Sequence, residues 1–329
     1  MLIIKRKLQI LILSLALLFP TNILAYSKNI IVGGENIGIS VNSKGIIIVG
    51  FYKVNDSYIG KDAGLELGDR IVSVNKKEVS NISNMIDEIN HIKDKDIISI
   101  GFIRGRKTNS TTLKLVLDNN NIYKTGLYVK DQITGIGTLT FIDPNSKIFG
   151  ALGHEIVERN TNQRLEVKDG EIFKSEVIDI TKSIRGTPGE KNAKFHYETI
   201  YGKVFENTMS GLFGYANDIL ITDKLVKVGE ADEVKLGKAT ITTVIDGVTK
   251  RDFDINIIKI DKNSEVKNIL FEITDKELLA KTGGVVQGMS GSPILQNNMI
   301  IGAVTHVIVN ESNKGYAIFI TTMLKEGEN

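Results

Sequence analysis

Apolar positions along this 329-residue chain change their spacing from region to region. A continuous apolar run from Leu8 to Phe19 stands alone near the N-terminus. From Ile31 to about residue 118, strand and helix periods alternate. "IGISV" and "GIIIVGF" are short β-rich runs, and Asn42-Ser43-Lys44-Gly45 between them predicts a turn. "DAGLELGDRIVSVN" (62–75) predicts a short helical turn, a stop at Gly68-Asp69 and a strand carrying Ile71, Val72 and Val74. In "SNISNMIDEINHIK" the residues Ile82, Met85, Ile86, Ile89 and Ile92 fall on one helical face, with Ser80 or Ser83 as cap. "DIISIGFIR" and "TTLKLVL" predict two further strands around the polar tip 105–110. The asparagine-rich start of "DNNNIYKTGLYVKD" (118–131) predicts a linker. From Gly126 onward short strand-like runs recur with glycine-bearing turns and few helical patterns, which predicts an all-β barrel or sandwich.

Composition narrows the class. Hydrophobic residues make up 42% and charged residues 24%, enough apolar material for a packed core. The net charge of +2 supplies no basic field for nucleic acid. The absence of cysteine excludes disulfides, thiolate metal sites and a cysteine nucleophile. The N-terminus places Lys5-Arg6-Lys7 before the apolar run, with Pro20 and Ala25 after it. This is the order of a signal peptide or, uncleaved, of an N-terminal membrane anchor over residues 1–26. The expected location of the remainder is therefore extracytoplasmic, secreted or membrane-anchored.

The order strand, strand, short helix, strand, helix, strand, strand over residues 31–118 resembles a PDZ domain, and "AGLELGDRIVSVN" carries the resemblance. Such domains take an extended peptide as an added strand beside a sheet edge. The resemblance implies peptide C-termini as ligands, with "VGGENIGIS" as the loop that supplies amides. Ile37, Gly38 and Ile39 are then the candidates for peptide binding, and the helix at 83–92 is the other wall of the groove.

Residues 119–329 carry the candidate chemistry. In "FGALGHEI" a strand of small and apolar residues ends at His154, so an imidazole projects from a strand end. "HEIVE" starts like a zinc motif, but Glu158 stands where the second histidine is needed, and no helix pattern surrounds it. No metal and no cofactor are expected. "VVQGMSGSPIL" (285–295) places Ser290 between glycines, in a setting close to the pattern around the nucleophile of chymotrypsin-like serine peptidases. Glycines there let the Gly288 and Ser290 amides converge on a developing oxyanion. Ser292 lies outside the apex. "IIGAVTHVIV" follows as an apolar strand, and His306 on it reads as a pocket residue rather than a base. His196 is the remaining histidine of this half.

Together with a PDZ-like unit upstream, the runs "GALGHEI", "TDKELLAKTGGVVQGMSGSPI" and "GAVTHV" resemble the stage IV sporulation protein B peptidases of endospore-forming bacteria. The resemblance covers the chain from about Ile31. It implies a mostly β chain, an N-terminal PDZ domain followed by a chymotrypsin-like double β-barrel peptidase domain. It also implies a secreted sporulation serine endopeptidase acting between mother cell and forespore. Its partners would be a regulatory membrane protein, whose cleavage triggers intramembrane proteolysis and sigma-K activation, and itself, through self-cleavage. The implied catalytic residues are His154, Ser290 and Asp275. General chymotrypsin-like spacing points instead to Asp179 or Asp218 as the acid, and Asp275 before "KELLAK" also reads as a helix N-cap. Two other functions fit parts of the pattern: an inactive PDZ adaptor, and a quality-control protease and chaperone, although the latter usually carries its peptidase first.

Overall fold

The computed structural model describes residues 26–91, 96–222 and 224–328. The expected signal peptide or anchor lies outside the described residues, save for Tyr26. No helix among the described residues is long and apolar enough to cross a membrane.

Strand β1 (Asn29–Val32) is followed by β2 (Asn36–Phe51), sixteen residues long. Helix α1 (Ile59–Asp62), strands β3 (Arg70–Val74) and β4 (Lys77–Glu78) and helix α2 (Ile82–Asn90) come next. The hairpin β5 (Ile97–Arg104) and β6 (Lys107–Lys114) precedes the small pair β7 (Val116–Leu117) and β8 (Tyr123–Lys124). Then β9 (Leu127–Ile142) runs for sixteen residues. It leads to β10 (Ile148–Ala151), the small pair β11 (Val157–Glu158) and β12 (Gln163–Arg164), and the long hairpin β13 (Val167–Thr181) and β14 (Glu190–Thr208). β15 (Gly211–Ala216), β16 (Leu225–Val228), β17 (Gly237–Val244), β18 (Lys250–Ile260) and β19 (Ile269–Ile273) follow. Helix α3 (Lys276–Thr282), strands β20 (Pro293–Gln296), β21 (Met299–Val307) and β22 (Lys314–Phe319), and helix α4 (Ile320–Gly327) close the chain.

The protein is mostly β, with the PDZ-like unit N-terminal to the peptidase region. In the peptidase region strand pairing runs β2-β9-β10-β15-β14-β13 and back to β2, and β17-β18-β19-β22-β21-β20 and back to β17, with β1 and β16 joining the two rings. Inside them sit distinct apolar cores. One gathers Ile37, Ile39, Leu139, Phe149, Ile172 and Leu212. Another gathers Ile241, Phe253, Phe271, Val286, Ile294 and Val304. The PDZ-like core holds Ile46, Ile48, Ile71, Val74, Met85, Ile89 and Leu113. As the helical period predicts, α2 buries Met85 and Ile89, while Asn81 caps it by accepting the Asn84 N–H.

The structure corrects two expectations at the domain border. The chain makes no hairpin at Asn42–Gly45; β2 continues through that stretch. Its first half lies between β9 and β13, with Gly38 opposite Ile136 on one side and Phe173 on the other. Its second half pairs with β3 and with the start of β9. Ile37, Gly38 and Ile39 therefore have both strand edges occupied and cannot accept a peptide strand. Residues 29–43 belong to the peptidase sheet, whereas Leu127 and Val129 pack in the PDZ-like core. The expected border at residue 118 is thus crossed in both directions, and the expected linker contains β8, paired with β7 just before it, and the start of β9.

Gly38 is glycine for a packing reason. A Cβ there would lie 2.1 Å from the Phe173 ring, which is buried and held by Phe195 and Tyr197. Overpacking of this kind costs about 1–3 kcal/mol. Gly38→Ala is expected to lower the melting temperature of the whole protein; an unchanged melting temperature would contradict this packing.

Candidate active site

His154 stands just beyond β10, after a turn in which Leu152 and Gly153 both adopt left-handed backbone angles (φ 69° and 71°). The Gly153 N–H folds back onto the Ala151 carbonyl at 2.8 Å. A Cβ at Gly153 would come within 2.9 Å of the Thr305 methyl, so the loop can approach β21 this closely only with glycine there. The half-buried imbedding of His154 also fixes its tautomer. Nδ1 lies 2.8 Å from the Glu155 carbonyl, an acceptor, so Nδ1 carries the proton and Nε2 is left as the basic nitrogen. Burial pushes the imidazole below its ordinary value, because the cation loses hydration.

Ser290 sits on a turn between α3 and β20. Gly288 and Gly291 adopt φ of 93° and 91°, a region that L side chains rarely enter. A Cβ at Gly291 would lie 2.0 Å from the Thr138 carbonyl oxygen. The N–H groups of Met289, Gly291 and Ser292 are all used within the turn or against Val304. Among the described residues, the N–H groups of Gly288 and Ser290 have no protein acceptor. Two unspent donors on a turn of this shape can receive an oxyanion.

Three side chains that the sequence reading did not single out seat this turn. Thr138 donates its backbone N–H to the Ser290 carbonyl (2.9 Å) and its hydroxyl to the Gly288 carbonyl (2.7 Å). Thr140 donates its hydroxyl to the Gly291 carbonyl (2.8 Å). Lys191, fully buried, packs its stem against Gly288 and places Nζ 2.9 Å from the Thr243 hydroxyl. Burial without an anionic partner pushes its ammonium down to about 7. A polar β9 threonine pair within an apolar strand was the available sequence signal; nothing in the sequence singles out Lys191.

The site residues converge at Thr305 on β21. The Ser290 hydroxyl donates to the Thr305 carbonyl at 3.1 Å rather than to His154. The His154 and His306 rings lie 5.4 Å apart between centroids. His306 Nδ1 is buried without a partner, and burial followed by repulsion from His154 pushes its imidazole down to about 4. His306 thus sits beside His154, neutral at ordinary pH.

None of the three expected acids meets His154 in this structure. Asp275 caps α3 by accepting the Leu278 N–H at 2.8 Å. Asp179 is exposed on β13 opposite Asn192, and Asp218 pairs with Lys147. The Glu155 carbonyl occupies the position at Nδ1 that an aspartate would take. His196 lies away from the centre, between Glu176 and Glu198. Glu158 accepts Lys130 and the N–H groups of Asn160 and Thr161, a structural role in the β11–β12 turn.

The comparison with known families decides what this geometry belongs to. The SpoIVB peptidase S55 family matches residues 121–324, which hold His154 and Ser290 and more than half of the chain. The chain belongs to the SpoIVB peptidase S55 family. It is a serine peptidase, a hydrolase of sporulation, with a PDZ domain matched at residues 36–115. No curated protein matches the chain. Among solved structures, the PDZ domain of an SdrC-like protein from Listeria monocytogenes is 23% identical, covering 27% of this chain and 90% of that one with a TM-score of 0.23. The corresponding domain from Listeria innocua is 21% identical, covering 26% and 92%, with a TM-score of 0.23.

Two outcomes follow for this S55 peptidase. Burial keeps the His154 imidazole neutral below its ordinary value of about 6.5, so if His154 acts as the base the acid limb of kcat/KM is expected below that pH. A limb at or above it would contradict the burial of this imidazole. Asp275→Ala is expected to lose about 1 kcal/mol of stability, whereas Asp275→Asn, an equally good cap, loses little. Denaturant unfolding measures both. A rate loss near 10⁴-fold in the asparagine variant at unchanged stability would instead place this carboxylate on His154 during turnover.

Proposed function

We propose that Ser290 is the nucleophile of an endopeptidase, His154 its general base, and the Gly288 and Ser290 amides its oxyanion hole. The carrying observation is the pair of unspent amides on the glycine-shaped turn that presents Ser290 beside the His154 loop. In the proposed cycle the Ser290 hydroxyl leaves the Thr305 carbonyl and turns toward His154 Nε2; such catalytic hydrogen bonds often align only with substrate in place. Oγ attacks the scissile carbonyl carbon as its proton passes to Nε2. The oxyanion forms against the two amides, and its collapse breaks the C–N bond, with Nε2 returning the proton to the leaving amine. Water, deprotonated by His154, then cleaves the acyl ester and restores Ser290.

The proposed setting is extracytoplasmic, between mother cell and forespore, which the N-terminal basic and apolar sequence supports. The proposed substrates are a regulatory membrane protein, whose cleavage triggers intramembrane proteolysis and sigma-K activation, and the peptidase itself. The PDZ domain supports recognition of a polypeptide partner. Labelling by a fluorophosphonate, with tryptic mapping of the adduct, tests the chemistry. The adduct is expected on Ser290, and Ser290→Ala is expected to remove both labelling and cleavage at an unchanged melting temperature. Cleavage that survives in the purified, folded variant would overturn the assignment.

A further inference from the structure

We infer that the free edge of β9 binds the part of the substrate that follows the scissile bond, as an added β-strand leading from Ser290 toward the PDZ domain. The inference rests on Ser290 being the nucleophile. Along residues 127–138 β9 is paired on one side with β2. Among the described residues, its other side takes a partner strand only from Leu139 onward, where β10 joins, while β1 continues the β2 side. The orientation of the open groups follows from two hydrogen bonds. The Leu139 N–H points toward β2, donating to the Glu35 carbonyl, whereas the Thr138 N–H points the other way, to the Ser290 carbonyl. Backbone groups alternate along a strand. The N–H and C=O of Ile136 and Thr134 therefore face the same side as the Ser290 turn.

This edge is accessible. Thr134 and Gly135 are exposed, and a Cβ added at Gly135 would meet nothing within 4 Å. It is also continuous with the catalytic turn, since its next outward N–H after Ile136 is the one that holds Ser290. Unpaired strand edges are templates for an extended chain. A substrate chain lying antiparallel to β9 carries its C-terminal side away from Ser290 and toward Gly126. The far end of this path lies in the PDZ domain, where Asp131 accepts the Ile82 N–H and so ties the start of α2 to β9. From Thr138 to Gly126 the strand spans about 40 Å. The occupant is a polypeptide in extended form, selected by main-chain hydrogen bonds more than by side chains.

The test uses the full-length protein and a library of synthetic peptides of varied sequence, with cleavage products read by mass spectrometry. The number of residues after the scissile bond is varied. In the wild type, kcat/KM is expected to rise at least tenfold as that number goes from two to six. Thr134→Pro removes an outward N–H that β2 does not use, and is expected to flatten this dependence. Peptides N-methylated at alternate residues after the bond should lose the same advantage on the wild-type protein, which keeps the test open should the proline variant fail to fold. Rates independent of length, or a length dependence that survives both Thr134→Pro and N-methylation, would overturn the inference. Absence of fluorophosphonate labelling and of all cleavage would overturn the underlying catalytic assignment instead.

Discussion

Thr138 holds the Ser290 turn by its backbone N–H and its hydroxyl, and its carbonyl leaves no room for a side chain at Gly291. That seat ties Ser290 to the end of the β2–β9 pairing, where Thr138 lies opposite Asn36. The same carbonyl accepts the Leu152 N–H, from the loop that carries His154. Ser290 and His154 therefore share one anchor, and their separation is set by a buried strand rather than by either loop. Buried hydrogen bonds of this kind are costly to leave unmade, so the two loops hold their places against a rigid reference.

The glycines divide into those needed for conformation and those needed for space. Gly288, Gly291 and Gly153 have positive φ, and the latter two also lie against backbone or a threonine methyl. Gly38 has ordinary extended geometry and is excluded from bearing a side chain by Phe173 alone. A glycine beside apolar residues in sequence can thus mean a ligand loop or a packed ring. The pattern "NIGIS" is compatible with both, which is why the amide-bearing loop expected there is instead an interior strand.

Local signals were the legible ones. The one-face spacing of α2, the cap at Asp275 and the glycine turn around Ser290 are all encoded within a few residues, and all are found where the pattern places them. The turns of Ser290 and His154 could be read because each is encoded by its own glycines. The long-range pairings could not. Asn42-Ser43-Lys44-Gly45 has turn chemistry, yet β2 passes through it because β9 and β13 pair with its first half. Lys191 under Gly288 is invisible in sequence because its role depends on β14 reaching the turn. The choice among aspartates was open for a similar reason: a main-chain carbonyl, which leaves no sequence signature, satisfies His154 Nδ1.

β2 runs without interruption from the peptidase sheet into the PDZ domain, and this has a consequence for how the chain folds. Asn36 waits for Thr138, and Gly38 for Phe173, before the first long strand can be completed. Closing loops of that length precedes any reward from the contacts they bring, which slows folding. During synthesis the first half of β2 emerges with an unfilled edge, which is covered only after the β13 region has followed it. The PDZ core draws on residues 46–129 and has no share in that wait. One strand is thus completed in two stages, its PDZ end before its peptidase end.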